Sequence, residues 1–128
     1  MATVQHNVIP EADLHESKGV STASNNSIYI ANGAGSGTWK VKFVPYLTVL
    51  SPASVAANTT AEELFTITGI AIGDIILSLS KPTAQVGLGI VGFRVSTTNQ
   101  IGITFSNETA APIVPTASQT YSIVVYKV

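Results

Sequence analysis

Cysteine is absent from this chain of 128 residues, which excludes a disulfide framework, a thiolate metal site and a thiol nucleophile. Charge is scarce too. Charged residues make up 10% of the sequence, against roughly 25% in an average soluble domain. Six basic residues face seven acidic ones, for a net charge of −1. No stripe of Lys or Arg is present to neutralise phosphates, so the chain is not expected to hold nucleic acid. No apolar run approaches the roughly 18 residues of a membrane span, so no membrane is expected either. The first residues, MATVQHNVIPEADLHE, lack the basic and apolar regions of a secretory signal. That predicts synthesis and folding in the cytoplasm of the cell that makes it, and makes the glycosylation triplets at Asn25, Asn58 and Asn107 chance matches.

What is there instead is 45% hydrophobic residues, with much of the rest Ser, Thr, Asn and Gly. A surface so poor in charge has weak protection against association near its pI of 6.0. Burial of much of that surface against a partner is the expected remedy.

The chain changes character near Pro45. Residues 1–24 carry Glu11, Asp13, Glu16, Lys18 and both histidines with little apolar periodicity, and read as an extended arm. Residues 25–45 read as a β-hairpin, with strands expected at Ser27–Ala31 and Thr38–Val44 joined by NGAGSG. In TWKVKFV, Trp39, Val41 and Phe43 alternate with Thr38, Lys40 and Lys42, the pattern of a half-buried strand.

Residues 46–128 read as β throughout. YLTVLS ends at Pro52. In Ala61–Thr68, Leu64, Thr66 and Thr68 lie opposite Phe65 and Ile67. IILSLS is a nearly continuous apolar run, and KPTAQVG a loop. Ile90–Ser96 and Gln100–Ser106, joined by TTN, form an expected hairpin with Val91, Phe93 and Val95 on the face of Ile101, Ile103 and Phe105. Gln119–Lys127 alternates through Tyr121, Ile123 and Val125. Pro112 and Pro115 make AAPIVPTA a crossing loop. Some seven short strands without an amphipathic helix predict an all-β fold: a small antiparallel β-sandwich or barrel, jelly-roll-like, with an extended N-terminal arm.

Motifs for chemistry are few. GLGIVG at 87–92 matches the dinucleotide fingerprint, but the text after it is a hairpin, without the helix N-terminus that receives a pyrophosphate. GAGSG at 33–37 runs into a strand and is a turn. His6, Glu11, Asp13, His15 and Glu16 lack ligand spacing and would need an ordered arm to converge, so no metal or cofactor is expected. Glu62 and Glu63 are adjacent and face opposite sides of a strand, Asp74 sits at a turn, and no G-x-S-x-G is present. The chain therefore reads as non-enzymatic. Arg94, the lone arginine, is read either as an outward side chain beside Thr104 or as an inter-subunit contact to a carboxylate such as Glu108. Trp39, Tyr46, Tyr121 and Tyr126 are of the types found at interface centres, with core packing the alternative for most of them. The subunit-interface candidates are Trp39, Arg94, Glu108 and Tyr126.

The string IPEADLHESKGVSTASNNSIYIANGAGSGTW resembles a segment of tailed-bacteriophage virion proteins, where it precedes a small β domain. KPTAQVGLGIVGFRVSTTNQIGITFSNETA with YSIVVYKV is similar to a β module of the same class. The resemblance implies a capsid-decoration (cement or head-fibre) protein on the capsid exterior of the virion. That role carries the major capsid protein as partner and self-assembly into a homotrimer. Carried onto this sequence, the docking candidates are Ile9, Pro10, Leu14, His15, Glu16 and Lys18. Related strings also occur in fibres, so a small tail-fibre or receptor-binding module for a host surface glycan is the alternative. The absence of a stalk, heptad or repeat region favours the compact decoration protein.

Overall fold

The computed structural model describes residues 23–34 and 37–128. The six docking candidates, the histidine-acid cluster and two residues of the GAGSG turn lie outside them. Eight strands are present: β1 (Ser27–Ala31), β2 (Gly37–Val41), β3 (Phe43–Leu50), β4 (Thr59–Thr66), β5 (Ile75–Ser80), β6 (Leu88–Thr97), β7 (Gln100–Asn107) and β8 (Gln119–Tyr126). No helix occurs among the described residues. The chain divides into two compact units after Val41.

In the first unit β1 and β2 form an antiparallel hairpin, with Ser27 opposite Val41 and Ala31 opposite Gly37. Gly37 is required there: a Cβ would stand 2.2 Å from the Ile30 carbonyl oxygen. The expected strand Thr38–Val44 is divided at Lys42, and Phe43–Pro45 belong to β3, paired along β8.

The second unit is a six-stranded antiparallel sandwich. One sheet has the order β3-β8-β5 and the other β4-β7-β6. Two separate sheets, rather than one closed sheet, decide for a sandwich over a barrel. Each central strand supplies its inward residues to the core: Ile101, Ile103 and Phe105 from β7, and Tyr121, Ile123 and Val125 from β8. Leu50, Val55, Ile67 and Ile70 complete it. Each such side chain contributes roughly 1.5–3 kcal/mol by leaving water. The alternation of apolar residues at period two is what directs them inward.

Within the sandwich only β6 and β7 form a hairpin; the other connections there pass from one sheet to the other. Asn99 turns the hairpin with a left-handed φ of 61°. Its side-chain oxygen accepts from the Gly69 amide at 2.7 Å, and its backbone N–H donates to Ile70. The turn is thereby fastened to the loop between β4 and β5. The crossing segment 108–118 is fixed from inside by Asn107, a buried side chain. Asn107 Nδ2 donates to the carbonyls of Val55 and Ala111, while Oδ1 accepts from the Thr109 amide and hydroxyl. All four side-chain valences of a buried amide are met.

One expectation about β6 is corrected. Val91 does not share the face of Ile101, Ile103 and Phe105. A bulge between Ile90 and Gly92 leaves Val91 unpaired and pointing out, while Ile90 stands opposite Phe105. A bulge adds one residue and so reverses the alternation on one side of it.

Candidate interaction surface

The two outward faces of the sandwich differ in kind. On the β4-β7-β6 sheet the outward positions include Thr60, Glu62, Leu64, Gly102, Thr104, Ser106 and Arg94. This face is mostly polar and carries an ion pair. Arg94 Nε and Nη2 donate to the two carboxylate oxygens of Glu62 at 2.7 and 2.9 Å, a bidentate pair. The pair spans three strands because the residue between them on central β7 is glycine. A Cβ on Gly102 would stand 2.2 Å from Glu62 Oε1. Hydrogen bonding and charge from Arg94 hold the Glu62 carboxyl below its ordinary range.

Arg94 thus points outward on the polar face, the first of its two readings, and its carboxylate is Glu62 of its own chain. Glu108 is exposed just past the end of β7, and its backbone N–H donates to Gly87. Glu63, adjacent to Glu62, points the other way and accepts from the Ala53 amide at 2.8 Å. Asp74 is committed as well. Burial opposes its ionisation, but Lys127 and the amides of Ala71 and Val128 outweigh that and lower its pKa. The Lys127 ammonium also donates to the Gly69 carbonyl, so one amine ties the end of β8 to the β4–β5 loop. GLGIVG enters strand β6 rather than a helix. Gly87, with φ of 76°, turns the chain into it.

A cleft of about 200 Å³ opens beside Lys81, Gln85, Leu88, Ile90 and Phe105. Its polar groups already have internal partners. Lys81 donates to the Thr83 carbonyl and hydroxyl, and Gln85 bridges the Val114 carbonyl and the Thr116 amide. The cleft reads as a fastening of the 81–87 loop to the crossing segment.

The outward face of the β3-β8-β5 sheet is of another character. β3 presents Phe43, Pro45, Leu47 and Val49; β8 presents Thr120, Ser122, Val124 and Tyr126; β5 presents Ile75, Ser78 and Ser80. A bulge between Ile76 and Ser78 turns Leu77 outward with them. Leu47 is 73% exposed, Val49 64%, Ile75 and Leu77 51% each, and Phe43 43%. No Asp, Glu, Lys or Arg occupies an outward position of these three strands. The Phe43 ring stacks edge-on against Tyr126 at 5.5 Å, and the Lys42 amine lies 5.0 Å from the Tyr126 centroid at the end of the face. Lys42 also donates to the Lys127 carbonyl. Scattered exposed apolar residues are ordinary; a contiguous uncharged sheet face marks a surface that something covers.

Of the four interface candidates read from the sequence, Tyr126 alone lies on this face. Trp39 is in the hairpin unit, edge-on to Tyr29 at 5.3 Å. Tyr121 is core, and Tyr46 lies on the inward side, packed against the core beside Ile123. The signal for the apolar face was present in FVPYLTVL, where both alternating sets are largely apolar. A strand with one solvated side would have read polar at every second residue.

No family model, curated protein or solved structure matches the chain.

Proposed function

We propose that the chain is a structural virion protein of a tailed bacteriophage, a capsid decoration protein bound to the outer surface of the head through its N-terminal region. The observation that carries this reading is the uncharged outward face of the β3-β8-β5 sheet. A sandwich whose core is already complete has no internal use for Leu47, Val49, Ile75 and Leu77 on its outside. Such a face is suited to a protein that works as one copy among many. The N-terminal resemblance supplies the class of assembly, and the major capsid protein is the partner it implies.

Antibody labelling of purified virions, viewed by electron microscopy, tests the reading. Label spread over the heads is the expected result. Label confined to the tail would replace it with the receptor-binding alternative. A chain without residues 1–20 should no longer bind heads, because Ile9, Pro10, Leu14, His15, Glu16 and Lys18 are the docking candidates. The truncated chain should keep its β-sheet circular dichroism, since the sandwich has a core of its own.

A further inference from the structure

We propose that Asn32 is a site of self-modification, where the chain closes the Asn32 side chain onto the Gly33 nitrogen, releases ammonia and is left with Asp or isoaspartate. The inference rests on the β1–β2 hairpin alone, so its failure and that of the virion reading are separate.

The reaction needs an uncrowded nitrogen next to the amide. The backbone nitrogen of the following residue attacks the asparagine Cγ, and a side chain on that residue hinders the approach. Of the seven asparagines in the chain, Asn32 alone is followed by glycine. The fold sets this pair between β1 and β2, with Asn32, Gly33 and Ala34 all exposed. Gly33 has a φ of 75°, a conformation natural to glycine, and nothing stands within 4 Å of where a Cβ would lie. Among the described residues no hydrogen bond engages the Gly33 N–H.

The turn also prepares the carbon that is attacked. Asn32 Oδ1 accepts from the Ala34 amide at 2.9 Å, which folds the side-chain amide back along its own backbone. The Gly33 nitrogen gives its proton to hydroxide and bonds to Cγ, and negative charge gathers on Oδ1. The Ala34 N–H already points at that oxygen and stabilises the charge as it develops. The Cγ–Nδ2 bond then breaks, and Nδ2 takes a proton from water and leaves as ammonia. Water next opens the five-membered ring. Attack at Cγ gives Asp, and attack at the main-chain carbonyl carbon gives isoaspartate. No electrons are exchanged, and water is the one co-reactant.

The other described asparagines are placed less well. The Ser27 N–H, which would have to attack Asn26, donates to the Ser24 carbonyl at 3.2 Å. Asn25 precedes Asn26, and Asn58 precedes the β-branched Thr59 that opens β4. The Asn99 side chain is bonded to Gly69, and that of Asn107 is buried with all its valences met. Modification at Asn32 adds one negative charge to a chain of net charge −1. The isoaspartate product also lengthens the main chain of the turn by a methylene.

The test is incubation of the full chain in mild base at body temperature. Ion exchange resolves the products, and fragmentation mass spectrometry of the tryptic peptide 19–40 locates the change. The expected result is a more acidic species, heavier by the difference between an amide and a carboxyl, altered at Asn32, and forming faster as pH rises. Asn32→Gln, whose ring closure would need six members, should yield none of it over the same period. Retention of the Asn32 amide while Asn25 or Asn26 loses its own overturns the proposal. A rate several-fold higher in guanidinium chloride also overturns it, because the turn would then shield the amide rather than present it.

Discussion

Asn107→Ala removes one side chain that holds three segments together, and its cost follows from the hydrogen bonds it makes. Four bonds are lost, to Val55, Ala111 and twice to Thr109. Two of the abandoned groups keep another partner: the Val55 carbonyl still accepts from the Ile113 amide, and the Ala111 carbonyl from the Thr109 hydroxyl. The Thr109 amide is left without a partner among the described residues. The unsatisfied Thr109 amide costs about 1–3 kcal/mol and the other three bonds, whose partners re-pair, about 1 kcal/mol together, so the loss comes to about 2–4 kcal/mol. For a unit of this size that is a fall in Tm of about 10–30 °C. Thermal denaturation followed by circular dichroism measures it. Asn107→Asp sharpens the test. Its acceptor oxygen is retained, but the second oxygen would face the Val55 and Ala111 carbonyls, so the introduced carboxyl must stay protonated to fit. Its pKa is then raised in the folded state, and the variant should gain stability relative to wild type as pH falls. A Tm within about 3 °C of wild type for Asn107→Ala, which corresponds to well under 1 kcal/mol, would refute the role given to this residue.

The Asp74–Lys127 pair makes stability depend on pH in a defined direction. Asp74 has a folded pKa below its ordinary 3.8, so its contribution is present above that value and lost as pH falls through the folded one. Lys127 has a pKa above its ordinary 10.5, because Asp74 and Tyr46 outweigh the burial that opposes its charge. Its contribution is lost only as pH rises beyond 10.5. Asp74→Asn should therefore melt below wild type at pH 7, with the gap closing under strong acid; a gap independent of pH would exclude the pair as its source. Tyr121→Phe should be neutral or stabilising by up to about 1 kcal/mol, since the hydroxyl is buried without a protein partner. Chemical denaturation measures this, and a loss above about 1 kcal/mol would show that the hydroxyl is held.

Period-two alternation made the core strands legible. Ile101, Ile103 and Phe105, and Tyr121, Ile123 and Val125, are inward where the sequence places them. Leu64 outward and Phe65 and Ile67 inward also follow the pattern. The prolines of 112 and 115 kept the crossing segment free of a long strand, leaving only the Val55–Ile113 bridge. What alternation does not carry is a change of phase. The bulges of β5 and β6 shift Leu77 and Val91 outward, and nothing local in IILSLS or GIVGF marks the extra residue. Pairing across strands is equally hidden. Arg94 meets Glu62 because β4 and β6 flank the same glycine of β7, a relation set by strand order and not by spacing along the chain. Asn107 read as a chance sequon for the same reason: its partners at Val55 and Ala111 come from the crossing. The apolar outward face was written in FVPYLTVL, but its meaning required knowing which side of β3 the core had already taken.

The buried asparagine also restricts where this protein is able to be made. Asn107-Glu108-Thr109 is an acceptor triplet, and oligosaccharide transfer in a eukaryotic secretory route acts on such triplets in surface-accessible chain. Asn25 and Asn58 are exposed and would carry a sugar outside the sandwich. A sugar on the Asn107 amide nitrogen would take the place of the donors to Val55 and Ala111. Modification before folding would then exclude the native crossing. Expression in a bacterial cytoplasm avoids the modification; a eukaryotic secretory route calls for Thr109→Val, which removes the triplet but gives up the hydroxyl bonds beside it.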